Sequence, residues 1–319
     1  MLVLQWLEWD VLSSSSYNLT LAIMLVVSVF MYIASSINRN YSWVDRSWSI
    51  LPVLYTWIHI YYNVKDTFHF TKTTSISTVL KNANIFYGII ITAWGIRLTF
   101  NFARRGGYSR GGEDYRWNYV RTWRLFSNPI IWELFSFWII ALFQTALLWA
   151  IALPMISIRS VPIKGEDIII GSCMILFLLL ETICDEQQQR FQRAKRKVKF
   201  QGNPRKLEGQ AALLSYGFCI TGVFGYSRHL NVFSEECFWL FLTMAGVAHG
   251  QIRWWQCTGC VALLLLTFFS TAYVNETISR QKYPLYAIYQ ETTPMLFPSL
   301  KVTTARTIYM IQKYCGKSR

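Results

Sequence analysis

Hydrophobic residues run in long blocks along this chain, and polar residues gather between the blocks. Seven blocks approach the roughly 20 apolar residues that a helix needs to cross a hydrocarbon core. They fall at about 17–36, 47–63, 83–103, 130–156, 167–184, 232–249 and 255–275. The second and sixth are short, and Pro52 lies in the first half of the second. The segment 208–225 is apolar but contains glycine and serine, and it reads as an interfacial or re-entrant piece. The pattern predicts an all-α membrane protein, a bundle of about seven transmembrane helices. It divides the chain into a short N-terminal segment (1–16), a seven-helix membrane domain (17–298) and a basic C-terminal tail (299–319).

Composition agrees. The 319 residues are 53% hydrophobic, 17% aromatic and only 15% charged, whereas soluble domains carry about 25% charged residues. The deficit is spread along the whole chain, which argues against a soluble enzyme with one anchor. The first sixteen residues hold no lysine or arginine, so no basic region of a cleaved signal is visible and the first block reads as a retained helix. Seven scattered cysteines do not make a disulfide framework. Cys257 and Cys260 form a lone CxxC with no second pair to complete a metal site. Helix packing by small residues is the plainer reading, and no metal is expected.

The net charge of +14 changes the picture through its distribution. With the N-terminus outside, 24 lysines and arginines fall on one membrane face and six on the other, while Arg97 sits inside the third span. That asymmetry predicts a C-terminus in the cytoplasm or the mitochondrial matrix. It points to lipid headgroups or a phosphorylated ligand, not to nucleic acid.

Polar side chains enter the apolar blocks at the basic face, and ionisable groups there are functional candidates. Asp45 and Ser49 share one face entering the second span; Ser42 and Asp45 also fit a capping box. Arg97 and Asn101 precede Arg104, Arg105 and a glycine-rich turn, an arrangement suited to a bound phosphate or to lipid headgroups. Asp185, Gln188, Gln189 and Gln192 form a polar stripe leaving the fifth span. Arg228, His229, Asn231 and Glu235 converge within ten residues as the sixth begins.

The series VDRSWSILPVLYTW, WGIRLTFNFARRGGY, GGEDYRW, DEQQQRFQ and GYSRHLNVFSE, closed by Lys282, Pro284 and Tyr286, resembles the steroid 5-alpha-reductase superfamily. It is most similar to that superfamily's less characterised eukaryotic branch, in order from about residue 40 to 298. The resemblance implies a seven-helix bundle that binds NADPH from the cytoplasmic side. It implies hydride delivery to the carbon–carbon double bond of a conjugated enone in an apolar lipid or sterol. It places Arg228, His229, Asn231, Glu235, Asp185 and Gln188 near the cofactor, with Lys282, Tyr286 and Tyr289 at its closing edge. Arg97 joins them through the basic turn that follows it. The endoplasmic reticulum is the default membrane, with the mitochondrial inner membrane as alternative.

The sequence also departs from that pattern. The resemblance implies a glutamate and a tyrosine in the second and third spans as donors to the developing enolate oxygen. Here the matching positions hold Ser49, Pro52, Trp94 and Gly95, so Asp45 and Tyr55 are the nearest substitutes. Leu230, Val232 and Ser234 replace a proline, an aromatic residue and a glycine. A non-catalytic subunit of a larger membrane complex is the competing reading. An S-adenosylmethionine-dependent methyltransferase is a third, which the reductase-type motifs favour less.

Overall fold

A computed structural model describes residues 15–71, 80–109, 111–197, 209–250 and 252–317. The N-terminal segment up to residue 14, Arg110 of the glycine-rich turn and the basic run 198–208 lie outside them. Among the described residues there is no strand, only an isolated bridge between Asn82 and Pro162. Five helices among the described residues are long and apolar enough to cross a membrane: α1 (Ser15–Asn38), α4 (Ala83–Arg104), α6 (Pro129–Ile156), α7 (Gly165–Lys197) and α10 (Trp254–Lys282). Two further helices occupy the remaining predicted blocks, α3 (Leu51–Thr71) and α9 (Leu230–Ala248). α3 carries Lys65 and Asp66, and α9 carries Glu235 and Glu236. Short helices complete the chain: α2 (Trp43–Ser47), α5 (Tyr115–Arg121), α8 (Gly209–Ser215), α11 (Tyr286–Thr292) and α12 (Thr304–Lys317).

The helices bury small polar residues among apolar ones and expose large apolar side chains, unlike a water-soluble bundle. In α1, Ser16, Thr20, Met24 and Ser28 recur every four residues on the buried face, while Leu25, Val26, Phe30 and Ile37 stand exposed. Thr20 accepts a bond from Trp149 Nε1 at 3.0 Å, and Ser28 pairs with Thr145, both partners on α6. Lipid offers no hydrogen bonds, so small polar groups face neighbouring helices and large apolar groups face the acyl chains. The same outward row on α7 (Ile168, Ile169, Leu176, Leu179, Ile183) would be an aggregation site in water. The chain is an all-α, multi-pass membrane protein.

The chain divides into two compact units, residues 1–175 with 238–265, and residues 176–237 with 266–319. In the first, α3 and α4 are antiparallel neighbours. Thr99 Oγ1 donates to Ser49 Oγ at 2.7 Å, and Trp57 Nε1 to Thr92 Oγ1 at 2.9 Å. At one end of this unit, Asp167 receives Tyr87 Oη (3.2 Å) and His249 Nε2 (3.0 Å), and caps Lys164 N at 2.9 Å. In the second unit, the segment foreseen as re-entrant forms α8, an irregular stretch and a 3₁₀ turn, Gly222–Gly225. Gln187 of α7 anchors it, donating to Thr221 O at 2.5 Å and accepting from Val223 N at 3.1 Å. Gly222, at φ 55°, lies directly against that amide, where a side chain would collide with it. The region foreseen as a basic tail contains α12, bonded to the same unit through Thr304 and Thr307.

Candidate functional site

The second unit is organised around Glu276, in the last stretch of α10. Its side chain is 5% exposed. Oε1 receives His229 Nε2 at 2.6 Å, Tyr286 Oη at 2.7 Å and Arg228 Nε at 3.1 Å. Oε2 receives Arg228 Nη2 at 2.7 Å and Gln290 Nε2 at 2.8 Å. Charge-assisted, two-point contact of this kind is the strong form of carboxylate binding. Arg228 Nη1 donates in addition to the carbonyls of Gln290 and Thr293. Every nitrogen of this guanidinium is engaged by the protein.

Backbone bonds lock the same parts together. Arg228 N and His229 N donate to the carbonyls of Pro294 and Met295, each at 3.0 Å. Tyr289 Oη donates to Phe224 O at 2.6 Å, and its ring stacks on Phe218 at 5.5 Å. Burial pushes the Tyr286 and Tyr289 phenols well above their ordinary range, and the negative charge of Glu276 adds to both shifts. Both therefore remain protonated donors at physiological pH.

Other candidate residues lie in the same unit. Asn231 and Glu235 are half-buried on α9, one turn apart. Asp185 and Gln188 are half-buried on α7, but the amide that ties the unit together is Gln187, on a different face. Lys282 is exposed, with its ammonium 5.5 Å from the Tyr283 ring. A cleft of about 200 Å³ lies beside α7, lined by Gln187, Arg190, Phe191, Gln210, Leu213 and Thr221. Pockets for whole cofactors or drug-sized ligands run from about 300 Å³ upward, so this one fits a fragment, not a dinucleotide.

The remaining candidates belong to the first unit. Arg97 is half-buried on α4, while Asn101 accepts from Arg104 Nε at 2.8 Å. Asp45 accepts from Trp117 Nε1 at 2.9 Å, next to the bidentate Arg116–Asp114 pair. The capping box does not form: Ser42 gives α2 no side-chain cap, and its hydroxyl instead accepts from Asp114 N at 2.8 Å. The glycine-rich turn turns carbonyls inward. Gly107 O and Gly112 O both accept from Arg46, at 3.2 and 3.1 Å. Arg121 lies over the rings of Tyr41 (4.4 Å) and Trp132 (4.8 Å). These stretches form one folded loop cluster.

Burial raises the Asp45 carboxyl above the usual carboxylate range, against the pull of Arg116. Burial opposes ionisation of Asp114 too, but there Arg116 prevails and holds the carboxyl low. A carboxyl raised by folding binds its proton more tightly in the native state. Its contribution therefore falls as pH climbs from about 4 through the folded pKa. Asp45→Asn keeps an oxygen for Trp117 and removes that fall. The variant should gain on the wild type across this window and hold a constant advantage above it, read as thermal midpoints in detergent from pH 4 to 8.

The family described as "Protein of unknown function (DUF1295)" matches residues 31–293. The chain belongs to that family. An uncharacterised protein of Schizosaccharomyces pombe is 29% identical over 269 residues, spanning 82% of this chain and 74% of that protein. No solved structure matches significantly. The DUF1295 match contains Arg228, His229, Glu276, Tyr286 and Tyr289, and ends before α12 begins.

Glu276 is the site residue that the sequence reading missed. Its signal was present, a carboxylate at the end of an apolar block, where ionisable residues are functional candidates. The seventh apolar block ends at about residue 275, one position short of it. A π-helical stretch, Ser270–Asn275, keeps α10 continuous through that boundary, and hydropathy does not register it.

Proposed function

We propose that this DUF1295 protein is a membrane-embedded reductase of the steroid 5-alpha-reductase superfamily. It would use NADPH to saturate the carbon–carbon double bond of a conjugated enone in an apolar lipid or sterol. The observation that carries this reading is the junction at Glu276. The SRH segment and the Lys282–Tyr286 segment, which the resemblance assigns to one cofactor edge, meet on a single buried carboxylate.

The fit to a dinucleotide assigns different tasks to different residues. Arg228 does not fit a direct phosphate contact, because its nitrogens are all held internally; it positions the chain that carries Tyr286 and Tyr289. Buried acceptors without a protein partner, Glu236 Oε2 and Asn275 Oδ1, fit the donor groups of a carboxamide or a ribose. Exposed cations in the same unit, among them Arg193, Arg196, Arg280 and Lys282, fit phosphate charge. When bound, NADPH supplies the hydride. For the enolate oxygen, Asp45 is engaged by Trp117, which leaves the buried Tyr55 hydroxyl, without a protein partner, as the better donor of the two. The charge asymmetry supports a basic face toward the cytoplasm in a reticulum protein, or toward the matrix in a mitochondrial one.

One observation favours a second reading, a non-catalytic subunit. The fully engaged Arg228, together with the missing glutamate of the second span, would suit a retained scaffold. Purified full-length protein in detergent separates the two. The reductase reading expects a saturable NADPH-dependent rise in thermal midpoint, a weaker rise with NADH, and a loss of that preference in Arg280→Glu/Lys282→Glu. At a hundredfold excess over Kd the stabilisation is about 2.7 kcal/mol. No rise at millimolar NADPH, with the fold intact and protein partners co-purifying in fixed ratio, would overturn it.

A further inference from the structure

One stretch of the second unit, from Phe297 through α12, lies past the DUF1295 match and outside every spanning helix. After Glu291 the sequence carries Lys301, Arg306, Lys313, Lys317 and Arg319, and no aspartate or glutamate. Phe297, Leu300 and Val302 stand exposed in the loop before α12, as do Tyr309 and Tyr314 on α12 itself. A patch of large apolar side chains rimmed by cations marks an interaction surface. α12 cannot hide it by crossing the bilayer. Its 14 residues make a helix of about 21 Å, short of a hydrocarbon core of roughly 30 Å.

Hydrogen bonds fix which face of α12 looks outward. Thr304 Oγ1 donates to Ile220 O at 2.7 Å, Thr303 N donates to Gly225 O at 2.8 Å, and Thr307 pairs with Thr292 at 2.7 Å. Thr304, Thr307, Ile308 and Ile311 form the inner face, and Arg306, Tyr309 and Lys313, at i, i+3 and i+7, the exposed one. Among the described residues, no ion pair engages Lys301, Arg306 or Lys313. The loop before α12 is held at the level of a span end. Ser299 N donates to Tyr226 O at 2.9 Å, just ahead of α9, and the Phe297 ring meets Phe233 in the first turn of α9 at 5.7 Å. Phe233 in turn meets Phe177 at 6.1 Å, within the apolar run of α7. A row of rings thus leads from a spanning segment to the exposed loop.

We propose that the loop 297–302 and the exposed face of α12 form a docking surface for anionic phospholipid, in the leaflet on the basic side of the membrane. Phe297, Leu300 and Val302 enter the boundary between headgroups and acyl chains. Lys301, Arg306 and Lys313 meet lipid phosphate, where each cation gains from a negative surface. Tyr309 and Tyr314 each offer an apolar ring and a hydroxyl, which suits the headgroup layer better than water or hydrocarbon. An acidic protein would answer the cations, but a bilayer answers the cations and the apolar loop together. Ser299, Thr303 and Thr304 bond Tyr226, Gly225 and Ile220, so lipid contact restrains the chain that leads into the Arg228–Glu276 junction. The proposal does not depend on the reductase reading.

The test uses the full chain in nanodiscs of phosphatidylcholine, alone or mixed with phosphatidylglycerol. Acetylation by a neutral N-hydroxysuccinimide ester, read lysine by lysine in a mass spectrometer, should slow about fivefold at Lys301 and Lys313 in the mixed discs, and about 0.5 M sodium chloride should reverse the slowing. Leu300→Ser should restore much of the Lys301 rate, because the loop loses its apolar hold. In detergent, phosphatidylglycerol should raise the thermal midpoint more than phosphatidylcholine does. Arg306→Gln/Lys313→Gln should lose most of that difference while keeping the wild-type midpoint in phosphatidylcholine, since both side chains are exposed and outside any ion pair. Equal acetylation in the two kinds of disc overturns the proposal, as does a double variant that keeps the full lipid response. So does shielding of Lys301 and Lys313 that appears only with a co-purifying protein, which would make the face a protein dock.

Discussion

Replacing Glu276 with glutamine should destabilise the second unit by about 3–5 kcal/mol, the loss that follows removal of one partner from a buried ion pair. The Arg228 and Glu276 side chains are only 8% and 5% exposed, so the guanidinium left behind has no water to replace the lost charge. Glutamine's single oxygen can still accept the bonds that meet one carboxylate oxygen, at most three of the five. Its amide nitrogen faces donors where the second oxygen stood, which sets donor against donor. The double variant Arg228→Met/Glu276→Leu should recover part of the loss, because two apolar side chains leave no buried charge. Recovery stays incomplete, because the carbonyls of Gln290 and Thr293 lose their donor. Denaturant titration of the three proteins in one detergent reads the coupling. A Glu276→Gln loss below about 1 kcal/mol, the range of exposed pairs, would show that the cluster is open to water.

This network explains which parts of the site could be read from sequence. Arg228, His229, Tyr286 and Tyr289 were visible because they sit in dense polar runs at the ends of apolar blocks. Glu276 was not, because its partners lie 47, 48 and 10 residues away in sequence. The amide stripe on α7 shows the same limit. Periodicity grouped Asp185 with Gln188, but Gln187, one position away, anchors the chain, because the irregular segment at Thr221 packs on that face. The membrane class and the helical blocks were legible throughout, since lipid imposes length and apolarity on every span. Tyr55 is conspicuous by its position in the second span and Trp94 by standing where the resemblance implies a tyrosine, whereas His59 and Trp239 look like ordinary packing residues until burial and partners are known. The CxxC pair is the converse case, conspicuous in sequence and unremarkable in space. Both cysteines are half-buried and outside any disulfide, and Cys257 makes a long contact to Arg253 O at 3.9 Å.

The residue that matters in that pair's neighbourhood is Gly259, between the two cysteines, and glycine-to-alanine exchanges should expose the difference. A Cβ at Gly259 would overlap the backbone carbonyl group of Ala150 and the backbone nitrogen of Ile151. Backbone cannot rotate aside, so α10 and α6 must separate. Overpacking of this kind costs about 1–3 kcal/mol, more than the gain of up to about 1 kcal/mol from placing alanine in a helix. Gly88 on α4 has the opposite environment. Its added Cβ would meet Ile60 Cδ1 at 2.5 Å, the far end of a flexible side chain, with Trp57 carbons beyond 3.5 Å. There the Ile60 rotamer can shift, and the helix gain offsets the strain. Gly259→Ala should therefore lower the thermal midpoint by several degrees, and Gly88→Ala should leave it level or raise it. Equal losses at both positions would mean that Ile60 is held as rigidly as backbone. Equal neutrality would mean that the α6–α10 contact at Ala150 is looser than its geometry. Close approach at Gly259, with small residues on either side, is the packing of helices that meet where no hydrophobic force draws them together.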